Sequence, residues 1–216
     1  MGTTRISPPG QVLGVAGSGL VNADWAASKN IAKMGRRGEV STAIVLNSAA
    51  RSAGGPTVLH HVQPDGAVAD VDHILVAGRS VYLLDSKVWK PALYWTRGGR
   101  HRRSVSLLAH EPAEHLPTPE DLARSRARVG RVLEAASIDD ADVIGPVIVV
   151  WPSSEKRLIS TSFLRLGDGV TVVPGRSLEH AVHRMSRQGS ADQRIVRALA
   201  EQLQAGDGKS GGRTWR

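Results

Sequence analysis

No cysteine occurs among the 216 residues. This excludes a disulfide framework, a thiolate metal site and a cysteine nucleophile, and it suits a reducing, intracellular setting. No apolar run is long enough to cross a bilayer, so a cytoplasmic location without a membrane partner is expected. Lysine is scarce, six residues against 22 arginines, and no internal repeat is visible. Two glycine-rich stretches fail as nucleotide loops. GVAGSG at 14–19 follows no convincing strand and lacks a GK[ST] step. GDGKS at 206–210 lacks the upstream glycine, because position 203 is leucine.

What is present is a globular composition, 41% apolar, in a length that suits one domain or one domain with a small appendage. The formal charge of +8 favours a polyanionic partner, nucleic acid before a membrane surface. Near the N-terminus Arg5 precedes a weakly apolar VLGVAGSGLV, and Val21-Asn22-Ala23 has the look of a signal-peptidase site. That run is too glycine-rich for a secretion signal, so a flexible leader is expected.

Residues 1–22 read as irregular. A helical pattern starts at Asn22 or Asp24 and is punctuated by Gly35 and Gly38. A second helix then runs to Asn47, with Val40, Ala43, Ile44 and Leu46 facing the core and Glu39 in its first turn. Three strand-like runs follow at short spacing: TVLHHV (57–62), VADVDHILV (68–76) and SVYLLDSKVW (80–89). The short connections predict an antiparallel meander. LYW (93–95) and SVSLL (104–108) suggest a further hairpin around the basic tip RGGRHRR. Pro117 and Pro119 open a helix over 120–136. GPVIVVW (145–151) reads as a strand buried on both faces, and VTVV (170–173) as a short one. Two helices close the fold, with Ser177 and Ser190 as N-caps and a capping box from Ser190 to Gln193. The order helix, three strands, helix, strand is mixed α/β.

Chemistry concentrates at two strands. Asp85 and Lys87 interrupt the apolar YLLDSKVW and share one strand face. Asp72 stands 13 positions earlier, on the neighbouring strand. Two close carboxylates repel unless a cation lies between them. Oxygen-only ligation favours a hard ion, Mg²⁺ or Mn²⁺. Such an ion stabilises charge on a phosphate, and a lysine beside it can orient or help deprotonate a water.

Gly35-Arg36-Arg37-Gly38-Glu39, then Val71-Asp72-His73, then Asp85-Ser86-Lys87-Val88-Trp89 resembles the signature of the nuclease-related domain (NERD) family, within the PD-(D/E)xK nucleases. The resemblance covers residues 35–175. It implies an α/β fold with a restriction-endonuclease-like core, a mixed central sheet with an antiparallel meander flanked by helices. A partly helical extension would occupy 1–34, two helices packing on the core 176–204, and a disordered tail 205–216. It implies a metal-dependent DNA endonuclease: Asp72, Asp85 and the Ser86 carbonyl hold Mg²⁺ or Mn²⁺, Glu39 completes the shell or binds its waters, and Lys87 acts on the attacking water. Many nucleases of this fold pair up, so a homodimer is a further expectation. The chain departs from the family in the helix EDLARSRARVGRVL, which lacks a glutamine near its start; Ser125 or Arg126 occupies that place, Arg126 close to the stripe of Leu122, Val129 and Leu133.

Simpler readings stand beside these. Asp85 and Lys87 form a structural ion pair in one of them, with Asp70 a solvated residue at a strand start. His73, His60 and His61 read as packed or hydrogen-bonded rings rather than metal ligands. Arg97, Arg100, His101, Arg102 and Arg103 beside Trp95 read as a solvated loop or as phosphate contacts for DNA or RNA, and Arg124, Arg128 and Arg131 share a helical face that extends that track. Besides a nuclease, a DNA-binding module without catalysis and a scaffold in a larger assembly fit parts of the pattern.

Overall fold

The structure, a computed structural model, describes residues 8–17, 29–64, 70–104, 106, 109–114, 116–154, 158–167 and 169–203. Its centre is a mixed six-stranded sheet with helices on both faces. The strands are β1 (Val12–Leu13), β2 (Thr57–Val62), β3 (Val71–Ala77), β4 (Ser80–Trp89), β8 (Asp142–Pro152) and β10 (Thr171–Pro174), in the spatial order β1-β2-β3-β4-β8-β10. β2, β3 and β4 form the expected antiparallel meander. β8 returns parallel to β4, and β10 parallel to β8.

The helices are α1 (Lys29–Ala50), α2 (Pro119–Ala135), α3 (Leu178–Met185) and α4 (Gln193–Ala200). Leu46 and Ala50 of α1 and Leu178 and Val182 of α3 pack on Leu75, Ala77, Leu84 and Val147. Val129 and Leu133 of α2 and Ile195 and Leu199 of α4 pack on the opposite face, on Ile74, Val76, Val81 and Leu83. Alternation along each strand thus divides its side chains between two cores. The run 145–150 is buried throughout, since β8 lies between β4 and β10 and is covered on both faces.

A second sheet carries the order β7-β6-β5-β9: β5 (Leu93–Arg97), β6 (Arg100–Ser104), β7 (His110–Pro112) and β9 (Ser160–Phe163). Tyr94 from its inner face joins Trp89, Ile148 and Val150 in a third apolar cluster. The basic segment does not form a long tip as expected. Arg100–Ser104 is itself a strand, paired to Leu93–Arg97 through a turn at Gly98 and Gly99, both at positive φ.

Several local expectations need correction. Gly35 and Gly38 do not break α1; each costs about 1 kcal/mol against alanine, and the buried stripe Gly38, Glu39, Thr42, Ala43, Leu46 and Ala50 outweighs that. The uninterrupted helix sets the phase, so Val40 and Ile44 face outward, at 40% and 66% exposure. Glu39 lies mid-helix, not in a first turn. Val12 and Leu13 are not irregular but pair parallel with Val58 and Leu59. Asp192, rather than Ser190, caps α4 by accepting from the Arg194 N–H at 2.9 Å; Gln193 donates to the Ala191 carbonyl, so no capping box forms. Ser177 precedes α3 without a side-chain cap bond. Thr118 and Pro119 start α2 as a polar N-cap and a proline should. Arg126 of that helix is exposed. The expected helix start at 22–24, residues 68 and 69 of the second strand, and the tail 205–216 lie outside the described residues. Among the described residues no helix is long and apolar enough to cross a membrane.

Candidate active site

The β3–β4 ladder runs from the Ala77–Ser80 pair to the His73–Leu84 pair and stops. One step further would place Asp72 opposite Asp85. There the Asp72 carboxylate accepts the Ser86 N–H at 2.7 Å, in place of a strand-to-strand bond. On the other side of β3 the β2 ladder also skips a step: His60 pairs with His73 and Val62 with Val71, but His61 between them takes φ 56°. A non-glycine residue in that region is uncommon and is characteristic of functional sites. Both neighbours of β3 therefore loosen at Asp72.

Asp85 and Lys87 lie on the β4 face that carries Leu83 and Trp89. Leu83 belongs to the core under α2, and Trp89 to the cluster under the second sheet. The two charged residues fall between those clusters and stay partly accessible, at 25% and 37%. Lys87 Nζ donates to Asp85 Oδ1 at 2.6 Å.

Glu39 comes from the α1 side. Gly38 makes this approach possible: a Cβ there would stand 2.8 Å from Val88 Cγ2, on the strand segment next to Lys87. This is a physical reason for glycine immediately before the acid. The Glu39 side chain is buried and accepts the Gly17 N–H at 2.9 Å, so the segment after β1 closes over it. Asp70, expected to be solvated, is instead bonded to His61 Nδ1 and faces Glu39 electrostatically. No simple periodicity reveals this pair, because it depends on the left-handed turn at His61.

Electrostatics tie these groups together. Burial and then the Asp70 charge push Glu39 up to about 7, against smaller opposing effects of the Gly17 N–H, His61 and Lys87. Burial, then repulsion from Asp85, holds Asp72 well above the usual carboxylate range; Glu39 adds to this, and Lys87 and the Ser86 N–H oppose it. For Lys87 burial favours the neutral amine, but Asp85, Asp72 and Glu39 more than reverse it and raise the ammonium above its ordinary value. The three carboxylates thus favour the ammonium form of Lys87, a form suited to orienting a water. Asp70 also resists burial: the His61 hydrogen bond and charge hold it below the ordinary carboxylate value.

Glu39, Asp72, Asp85 and Lys87 thus act on one another across three elements. The donor chemistry suits a hard divalent cation, since three carboxylates face one ammonium and two of them retain protons at raised pH. The placement is less complete. Among the described residues no three His, Asp or Glu side chains converge as a ligand set, because Asp85 is bonded to Lys87 and Asp72 to the Ser86 N–H.

On the α1 side of β4 lies a buried polar chain. Trp151 Nε1 donates to Thr42 Oγ1 at 2.9 Å, and Thr42 and Ser86 share a hydroxyl bond of 2.8 Å. Ser86 meets His73 Nε2 at 3.2 Å, His73 Nδ1 meets His60 Nδ1 at 2.8 Å, and His60 Nε2 meets Asn47 Oδ1 at 2.8 Å. The Ser86 hydroxyl is thus committed away from Asp85 and Lys87, leaving its carbonyl as the group a cation would use. Indole can only donate and an amide oxygen only accept. With these ends fixed, every acceptor is matched when donation runs from Trp151 to Asn47, giving neutral His73 protonated at Nδ1 and neutral His60 at Nε2. Burial pushes His60 down to about 4; burial and the neighbouring His60 push His73 well below its ordinary value. Histidine ¹⁵N spectra between about pH 6 and 8 should show these tautomers without titration; the opposite tautomers, or a titrating ring, would refute the assignment.

The expected phosphate contacts divide. Arg97 and Arg100 are exposed at the hairpin end, and Arg102 is half-buried on the outer face beside His110. Arg103 is turned inward and bonded to Glu111, so it is not a free contact. Arg124 is exposed but paired with Asp121, and Arg128 is half-buried on α2. Comparison of the chain with protein-family models, curated proteins and solved structures returns no match.

Proposed function

We propose that the chain is a divalent-metal-dependent nuclease that hydrolyses DNA phosphodiester bonds, in the manner of an endonuclease with a restriction-endonuclease-like core. The observation that carries this is the coupling of Glu39, Asp72, Asp85 and Lys87 where the β3–β4 ladder ends. The order of α1, a three-stranded meander, α2 and a strand returning parallel to β4 supports it.

In this reading Asp72, Asp85 and the Ser86 carbonyl hold Mg²⁺ or Mn²⁺, with Glu39 completing the shell or holding its waters. When bound, such an ion would supply positive charge to a phosphate and acidify water. Lys87, kept as an ammonium, orients the attacking water and offers charge to the phosphoryl oxygens as they become more negative. Water adds to phosphorus in line and the P–O3′ bond breaks, leaving a 5′-phosphate and a 3′-hydroxyl. The test is cleavage of circular DNA. Cutting should require Mg²⁺ or Mn²⁺, stop with EDTA, and be lost in Asp85→Asn. Equal cutting by that variant would remove the reading's support.

A DNA-binding module without catalysis is the second reading, favoured by one observation: the carboxylates are engaged by Lys87 and the Ser86 N–H rather than gathered as a ligand set. It predicts that DNA is bound without the ion and released uncut.

A further inference from the structure

The outer face of the second sheet combines rings and cations in an unusual way. Register places Leu93, Trp95 and Arg97 of β5 on one face with Arg100 and Arg102 of β6, because Trp95 pairs with Arg102 and Arg97 with Arg100. Phe163 of β9 stands opposite Trp95, and His110 of β7 opposite Ser104. Tyr94, on the alternate face, is buried against Trp89 at 5.1 Å between ring centroids, so this face is the one turned to solvent. Phe163 is 67% exposed and Leu93 40%. Trp95 and His110 meet edge to face at 5.7 Å, and Arg102 bonds His110 Nδ1 at 3.1 Å. Among the described residues of β5, β6, β7 and β9 the one carboxylate, Glu111, is on the inner face with Arg103.

Exposed rings are costly in water unless something covers them, and the covering surface must tolerate three arginines. A single nucleic-acid strand meets both demands, since each base offers a flat apolar face and each nucleotide a phosphate. A duplex does not, because its bases are already stacked. We propose that this face binds single-stranded nucleic acid, stacking bases on Phe163, Trp95 and His110 while Arg97, Arg100 and Arg102 neutralise phosphates. Four strands about 4.8 Å apart span roughly 14 Å. Trp95 follows Lys87 by eight residues, so the platform begins within about 26 Å of that lysine along the chain. The proposal extends the nuclease reading by naming a strand form, but binding here does not require cleavage.

The test uses the full chain in EDTA with a fluorescein-labelled 12-mer of deoxythymidine, followed by anisotropy, and a matching 12-mer of abasic sugar-phosphate. Phe163→Ala, at an exposed position, should weaken binding of the thymidine strand about tenfold, the order of one lost stack, and leave abasic binding unchanged. Trp95→Ala should do the same. The Arg97→Ala/Arg100→Ala variant should weaken both strands and reduce the salt slope by about 1.4. Wild-type binding of the thymidine strand by both aromatic variants overturns the proposal. So does equal affinity for the abasic strand, or binding to anionic vesicles without oligonucleotide binding. Binding is measured in EDTA, where no cleavage takes place, so loss of cleavage and loss of this surface are separable.

Discussion

Replacing Glu39 by glutamine is expected to stabilise the metal-free protein at pH 8 by about 3 kcal/mol, and to leave the two proteins equally stable near pH 4.5. The Glu39 carboxyl titrates at about 7 in the fold against 4.5 when unburied, and that gap corresponds to roughly 3 kcal/mol. Below 4.5 the group is protonated folded or unfolded, and glutamine resembles it closely, including its ability to accept the Gly17 N–H. As pH rises from 4.5 to 7 the unfolded chain loses the proton while the fold retains it, so wild-type stability falls. Glutamine has no proton to lose and escapes that fall. The histidine pair acts in the opposite sense. His60 titrates near 4 in the fold against 6.5 unfolded, so its contribution is complete above 6.5 and is lost as pH drops towards 4. The variant should therefore show a steeper acid loss than wild type, in which the two effects partly cancel. Urea unfolding in EDTA at several pH values measures this. Adding Mn²⁺ at pH 8 should then stabilise wild type more than Glu39→Gln, as an ion held by the native site alone would. A variant no more stable than wild type at pH 8 would mean that Glu39 does not carry the burial and repulsion described.

The frame of the fold was legible because its patterns are local. TVLHHV and SVYLLDSKVW begin and end as the alternation and turn residues indicate, and the continuous apolar run at 145–150 is buried on both faces. What escaped depends on distant partners. Gly35 and Gly38 are breakers by propensity, yet α1 continues because its buried stripe packs on the sheet. The basic segment is a strand because β5, β7 and β9 pair around it, and that cannot be seen in RGGRHRR itself. At the site, the two-residue spacing of Asp85 and Lys87 and the short β3–β4 turn were enough to place Asp72 at the level of Asp85. The roles were harder. Spacing cannot say that Ser86 faces a buried histidine chain, that Asp70 is bonded to His61, or that three carboxylates keep Lys87 protonated. Those follow from burial and from side chains brought together by four different elements.

The protonated state of Lys87 leads to the other large expected effect. Lys87→Met should slow DNA cleavage at least ~10²-fold, the scale of a lost catalytic group at a reacting phosphate. If the residue contributes a charge, Lys87→Arg should retain roughly tenfold more activity than Lys87→Met, because a guanidinium remains cationic at every usable pH. If it instead took a proton from water, arginine would be as inactive as methionine. A fixed ammonium also predicts that no limb of the wild-type pH–rate profile between about pH 6 and 9 disappears in Lys87→Arg. Removing the cation should leave Asp85, Asp72 and Glu39 without their shared counter-charge, so Lys87→Met should also be less stable than wild type at pH 8 in EDTA and recover as acid protonates the carboxylates. Cleavage and unfolding measured on the same preparations separate these effects. Cutting by Lys87→Met within a few-fold of wild type, while Asp85→Asn is inactive, would show that the ammonium stabilises the site without serving the reaction.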